Sequence, residues 1–262
     1  MRNVFLSGLA ILVLAGCGQS GPSRAPCPEG KVCLLIGNGT EPATLDPHTS
    51  TGTWEDRIQS DMFMGLTQSA ADGSTMPGVA ERWDISADGL TWTFHLRESY
   101  WSDGVPVTAD DFVFSLRRVL DPKTASEYAS LLYLIRGGQA INEGKAPLES
   151  LGVRAVDPRT LEIELNHPAA YLAELSKHHV LYPVPRHVVE REGEAWVRPG
   201  KMVSNGPYIL VDWKLGDYVK VTRNPRFWEA DKLCIDEVRY YPTTDAISAE
   251  RRVASGELDL NT

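Results

Sequence analysis

From Leu90 to Leu96 apolar and polar residues alternate without a break: Leu90, Trp92, Phe94 and Leu96 on one side, Thr91, Thr93 and His95 on the other. Period two with aromatic and β-branched residues predicts a strand with one buried face. Ala80–Ile85 predicts its partner, because Asp88-Gly89 between them is a turn dipeptide whose glycine accepts a positive φ. Beyond a second turn at Ser102-Asp103-Gly104 the period changes. Phe112, Leu116, Val119 and Leu120 recur at helical spacing. Thr108 stands as an N-cap with Asp111 at the third helical position, and Asp121-Pro122 ends the helix.

Similar patterns run in both directions. Lys31–Gly37 predicts a first strand, Asn38–Thr49 a loop, and Gly52–Gly65 a helix carrying Trp54, Ile58, Met62 and Phe63. A capping box at Thr124–Glu127 predicts a helix from Ala125 to about Leu134, stopped by Gly137-Gly138. Gln139–Gly144 adds a short helical piece. Val153–Val156 and Leu161–Leu165 predict a hairpin about Asp157–Thr160. Helices are expected over Pro168–Leu175, Arg186–Arg191 and Asp245–Ser255, the last closed by Gly256. Tyr208–Trp213 and Tyr218–Arg223 predict another hairpin, and Val238–Tyr241 and Leu258–Leu260 two more strands. Strands and helices interleave, so the fold class is α/β with a mixed (α+β) sheet arrangement.

The 262 residues are 42% hydrophobic and 23% charged, an ordinary globular balance. A net charge of −9 argues against a nucleic-acid partner. Arg117-Arg118 and Arg251-Arg252 are isolated pairs on helices and are expected to be solvated. Arg2 precedes an apolar run, Val4–Leu14, too short to span a bilayer. With Leu14-Ala15-Gly16-Cys17 it resembles a bacterial lipoprotein signal. That resemblance implies removal of the segment before Cys17, acylation of Cys17 as a membrane anchor, and a tether over 18–27. Cys27 and Cys33 are a disulfide candidate in an oxidising compartment, with a metal pair as the alternative. Cys234 is left over and is expected to be a buried small hydrophobe.

Enzymes need a nucleophile, base or metal constellation. HExxH, GxSxG, a Walker loop and paired CxxC motifs are all missing from the sequence. His178-His179 are adjacent and share no helix face, so exposed or capping roles are expected. Asp110-Asp111 complements a helix dipole. The expectation is a non-enzyme without cofactor or metal; a hydrolase using Asp110 or His178 is a distant alternative.

The words PGVAERWDIS (77–86), DGLTWTFHLR (88–97) and WSDGVPVTADDFVFS (101–115) carry a more specific message. With Glu41-Pro42, the LDP of 45–47, the NGPY of 205–208 and the NPRFW of 224–228, they resemble the family 5 extracellular solute-binding proteins. These are the oligopeptide and dipeptide receptors of ABC importers. The resemblance implies a periplasmic binding-protein fold (type II, with an extra subdomain), of which only the first lobe is matched. That lobe would comprise 28–62 and 185–262, with 63–184 as an inserted α/β subdomain. The resemblance implies that the second lobe is missing, as in a fragment of a longer protein or a natural truncation; a last strand cut short at Asn261-Thr262 is expected of truncation and not of a designed end.

The function implied is capture of short peptides in the periplasm or at the cell surface by a lipid-anchored monomer, and delivery to ABC permease subunits. A receptor tolerant of side chains should pair with the peptide backbone as an added strand. Thr51, Gly52 and Thr53 match the family position that does so, Gly52 permitting close approach. Trp54 could line a pocket, and Tyr128 matches a tyrosine that reaches the cleft from the subdomain. Groups for the ligand termini belong mainly to the missing lobe, so these residues alone are expected to bind peptide weakly or not at all. Alternatives are another solute on the same scaffold (nickel chelate, haem, sugar), or a truncated lipoprotein with a scaffolding role.

Overall fold

The computed structural model describes residues 24–262. The expectation at Cys17 and most of the 18–27 tether lie outside the described residues. β1 (Cys33–Gly37) is followed by a long loop and α1 (Thr53–Met62). A short hairpin, β2 (Thr67–Ser69) and β3 (Thr75–Pro77), leads to β4 (Ala80–Ile85), β5 (Thr91–Leu96) and α2 (Ala109–Leu120). Next come α3 (Gly138–Asn142), β6 (Val153–Asp157), β7 (Thr160–Glu164), α4 (Leu172–Leu175) and α5 (Arg186–Glu192). β8 (Tyr208–Lys214), β9 (Tyr218–Arg223), β10 (Glu237–Tyr241), α6 (Ala246–Ala254) and β11 (Leu260–Asn261) complete the order.

The architecture is the mixed α/β class that the alternation predicts. One sheet has the order β11-β1-β10-β9-β8; β1 runs parallel to β10 and β11, and the β10-β9-β8 run is antiparallel. A second, wholly antiparallel sheet has the order β4-β5-β7-β6. The first sheet draws on 33–37 and 208–261, the second on 80–164, and one contiguous core runs through both. Within β5, Trp92, Phe94 and Leu96 are buried while Thr91, Thr93 and His95 are half-buried. Register places Trp92 opposite Ile163 and Phe94 opposite Leu161. Such cross-strand apolar pairs are what hold a half-buried sheet together. α2 covers β6 and β7 with Phe112, Leu116 and Val119 inward. Its capping box is formed: Thr108 N–H donates to Asp111 Oδ2 at 2.9 Å.

Asn205-Gly206 joins the sheet to the end of α1. The Asn205 carboxamide accepts from Met64 N–H (3.0 Å) and donates to Met64 O (2.9 Å), imitating a strand partner. Gly206 N–H donates to Met62 O at 2.8 Å. A Cβ at 206 would lie 2.6 Å from the Met62 carbonyl, so only glycine fits.

Several local expectations fail. No helix spans 125–134. Asp121 accepts from Lys123 N–H and closes a 3-10 turn over Pro122–Thr124, and Ala125 takes a left-handed φ of 53°. That turn competes with the capping box, and only a 3-10 segment, Ala129–Leu132, follows. The expected Pro168–Leu175 helix is reduced to Leu172–Leu175. The last strand begins later than expected, with Leu258 buried before it. Cys234 is exposed, not buried. Cys27 and Cys33 form a disulfide, Cα–Cα 5.8 Å, at the entry to β1.

Gly206→Ala is expected to cost about 1–3 kcal/mol, because a methyl group must displace backbone rather than a flexible side chain. Thr108→Ala should cost about 1 kcal/mol through loss of the cap. Urea unfolding measures both; a neutral Gly206→Ala would show that the α1–β8 junction is not closely packed.

Candidate functional site

The loop between β1 and α1 carries few apolar anchors, so polar groups must fix it. Asp46 is the centre of that fixation. Its carboxylate accepts two bonds from the Arg118 guanidinium of α2 (3.0 and 2.6 Å) and one from the Trp196 indole N–H (3.1 Å). It also accepts from His48 N–H at 3.0 Å, and Asp46 O accepts from the N–H groups of Thr49 and Ser50. Burial alone would raise the Asp46 pKa; the Arg118 hydrogen bonds and charge outweigh it and hold the carboxyl below its ordinary value. Arg118 also donates to His48 Nδ1 (2.9 Å), so His48 is the Nε2–H tautomer that donates to Tyr182 O (3.0 Å). Burial, then the neighbouring guanidinium, pushes the His48 pKa down to about 4. Arg118 is therefore a half-buried partner of a buried carboxylate and not the solvated residue that its place in an Arg-Arg pair predicts. Arg252 likewise pairs with Glu257 and stacks on Tyr241.

Two further contacts tie the loop to α1. Ala43 N–H donates to Glu55 Oε1 (2.8 Å) and Ser50 Oγ donates to Gln59 Oε1 (3.0 Å). The loop so held delivers Thr51, Gly52 and Thr53 to the wall of a cavity of about 520 Å³. Thr51 and Thr53 are exposed, and the backbone N–H groups of Thr51 and Gly52 find no partner among the described residues. Across the cavity Tyr128 donates its hydroxyl to Thr51 O at 3.3 Å. The Tyr128 ring meets His178 and His179 edge-on, with centroids 5.0 and 5.5 Å apart. His179 is buried, and its Nδ1 lies 2.9 Å from Asp56 Oδ1. His178 is half-buried; its Nδ1 accepts from Val180 N–H, and burial, then the neighbouring His179, lowers its pKa.

Extended backbone beside a polar cavity suits a ligand that is itself backbone. A family model described as bacterial extracellular solute-binding proteins, family 5 Middle, matches residues 74–262. The chain belongs to the family 5 extracellular solute-binding proteins. Among family 5 members, the periplasmic oligopeptide-binding protein OppA of Escherichia coli K12 is 42% identical over 99% of this chain and 48% of its own length. The probable deoxycholate-binding periplasmic protein YgiS of the same organism is 38% identical over 91% of this chain and 45% of its own length. A crystal structure of Haemophilus influenzae OppA in complex with RPPGFSPFR superposes with a TM-score of 0.85 at 37% identity, covering 88% of this chain and 45% of that one. The chain spans about half the length of the curated relatives it matches.

Within this family 5 lobe, Thr51, Gly52, Thr53 and Tyr128 come together at one cavity. Trp54 does not join them on its wall; its ring packs over Gly39 and beneath Gly52. Asp56, Ser60, His178 and His179 also line the cavity, a placement that the sequence pattern does not predict. The His pair was expected to be exposed or capping. His178 does accept a capping bond, but the fold buries His179 against Asp56. Nothing local in the sequence signals that meeting across 123 positions.

Arg118→Met is expected to cost about 3–5 kcal/mol, because it leaves Asp46 buried without its counter-charge. Urea unfolding at pH 7 checks this. His48 has a folded pKa near 4, below its ordinary 6.5, so the unfolded chain binds the proton first on acidification. Stability is complete above pH 6.5 and falls toward pH 4, by up to about 1.4 kcal/mol per pH unit. Asp46, also depressed, adds its own loss only below its ordinary 3.8. The slope between pH 6.5 and 4.5 should be shallower in His48→Asn; an unchanged slope would remove His48 as its source.

Proposed function

We propose that this chain forms one wall of a cleft that captures short peptides outside the cytoplasm for delivery to an ABC permease. One observation carries the reading: the Thr51–Thr53 backbone lines a cavity with its Thr51 and Gly52 N–H groups unpaired. A peptide strand laid there would receive main-chain hydrogen bonds that do not depend on its sequence. Tyr128, facing Thr51 O, closes one side, and water in the remainder of the cavity would let it accept varied side chains. The lobe is taken as 28–62 with 185–262, and 63–184 as its inserted subdomain. Acylation at Cys17 would hold the protein at a membrane surface as a monomer. The two OppA relatives support a peptide ligand. YgiS, named as a probable deoxycholate binder, favours the second reading, a different solute on the same scaffold.

Isothermal titration separates the two. Short peptides are expected to bind this chain with dissociation constants above about 100 µM, since a single wall provides only part of the contacts. Deoxycholate below its micellar concentration should give no binding heat. Micromolar peptide binding by these residues alone would contradict the need for a second wall. Saturable deoxycholate binding without peptide binding would overturn the peptide reading.

A further inference from the structure

The cavity beside Thr51–Thr53 is not chemically neutral. Lys177, its one lysine among the described lining residues, is already engaged. Its ammonium sits 2.6 Å from Glu174 Oε1 and donates to Gly73 O at 3.2 Å. Asp56 is placed differently. Its side chain is 47% exposed and its hydrogen-bond partner is His179 Nδ1, an imidazole and not a guanidinium or ammonium. Facing a carboxylate, Nδ1 carries the proton, so in the neutral ring Nε2 is a lone-pair acceptor. His179 is only 4% exposed, lines the cavity, and its Nε2 finds no partner among the described residues. A buried acceptor without a donor is costly unless a ligand or water supplies one. The Tyr128 ring stands next to both histidines and lines the same cavity.

An uncompensated carboxylate, a buried acceptor and an aromatic ring converge on one space. Each favours a donor-rich cation. The geometry points to a side-chain subsite at Asp56, His179 and Tyr128 that takes a lysine or arginine side chain of the bound peptide. Such a subsite presupposes the peptide reading given above. It adds a preference to a backbone contact that has none: the main chain would be held by Thr51–Thr53, and one side chain chosen by Asp56.

The test is an amide-resonance titration of this chain with blocked tripeptides, acetylated and amidated so that terminal charges play no part. Tri-lysine, tri-alanine and tri-glutamate are compared at millimolar concentration. Tri-lysine should bind most tightly, shifting Asp56, His179 and Tyr128 together with Thr51–Thr53. Asp56→Asn should weaken tri-lysine by about fivefold, the size expected for a half-exposed ion pair, and leave tri-alanine unchanged. Asp56→Lys should turn the preference toward tri-glutamate. Each variant's own spectrum reports whether it is folded, and the two variants check one another. Equal binding of all three peptides, or a tri-lysine preference that survives both substitutions, overturns the subsite and leaves the backbone reading intact. Failure of every peptide to shift Thr51–Thr53 overturns the peptide reading, and the subsite with it.

Discussion

The ion pair between Asp46 and Arg118 is the constraint on which the site depends. Moving two charges out of water costs several kcal/mol per ion, and attraction recovers that only when geometry is good and the remaining lone pairs are used. Here both conditions are met. Asp46 accepts from a two-pronged guanidinium, an indole and a backbone amide, and Arg118 also reaches His48. The partners come from a loop, from α2 and from the segment around Trp196. A loop of turn formers is thereby tied to α2 and to the segment around Trp196. Its far end, Thr51–Thr53, inherits a fixed position.

The same pair sets the opposite side of the cavity. Arg118 lies in the last turn of α2, and the chain then turns at Asp121-Pro122 toward Tyr128. The Tyr128 hydroxyl and the Thr51 carbonyl meet at 3.3 Å because loop and helix are joined upstream. Among the described residues, the Thr51 and Gly52 amides and His179 Nε2 are left without partners at the space between them. Polar groups left without a partner beside a cavity are where a ligand's own groups would fit. Gly52 contributes by lacking a side chain, since a Cβ there would lie 2.1 Å from Glu55 Oε2.

Much of this fold was legible in the sequence because it is local. The alternation of 90–96 and the Thr108–Asp111 cap each depend on residues within a few positions, and both are formed as expected. Gly52 and Tyr128, which line one cavity, stand out in the sequence by resemblance to a family and not by chemistry. The failures are long-range or competitive. Thr124–Glu127 has the spacing of a capping box, yet Asp121 captures the turn first and Ala125 goes left-handed. Arg118 reads as half of a solvated pair because Asp46 lies 72 positions away. Trp54 follows the cavity-lining Thr51–Thr53 segment directly but turns to Gly39, since a helical residue's direction is set by its phase and not by its neighbours' position.

Amide hydrogen exchange at Thr51 and Gly52 tests the central claim most directly. In the free chain both amides should exchange rapidly while Ser50, bonded to Asp46 O, is protected; added tripeptide should slow both in proportion to occupancy. Strong protection of Thr51 and Gly52 in the free chain, or unchanged rapid exchange with peptide bound, would contradict the account.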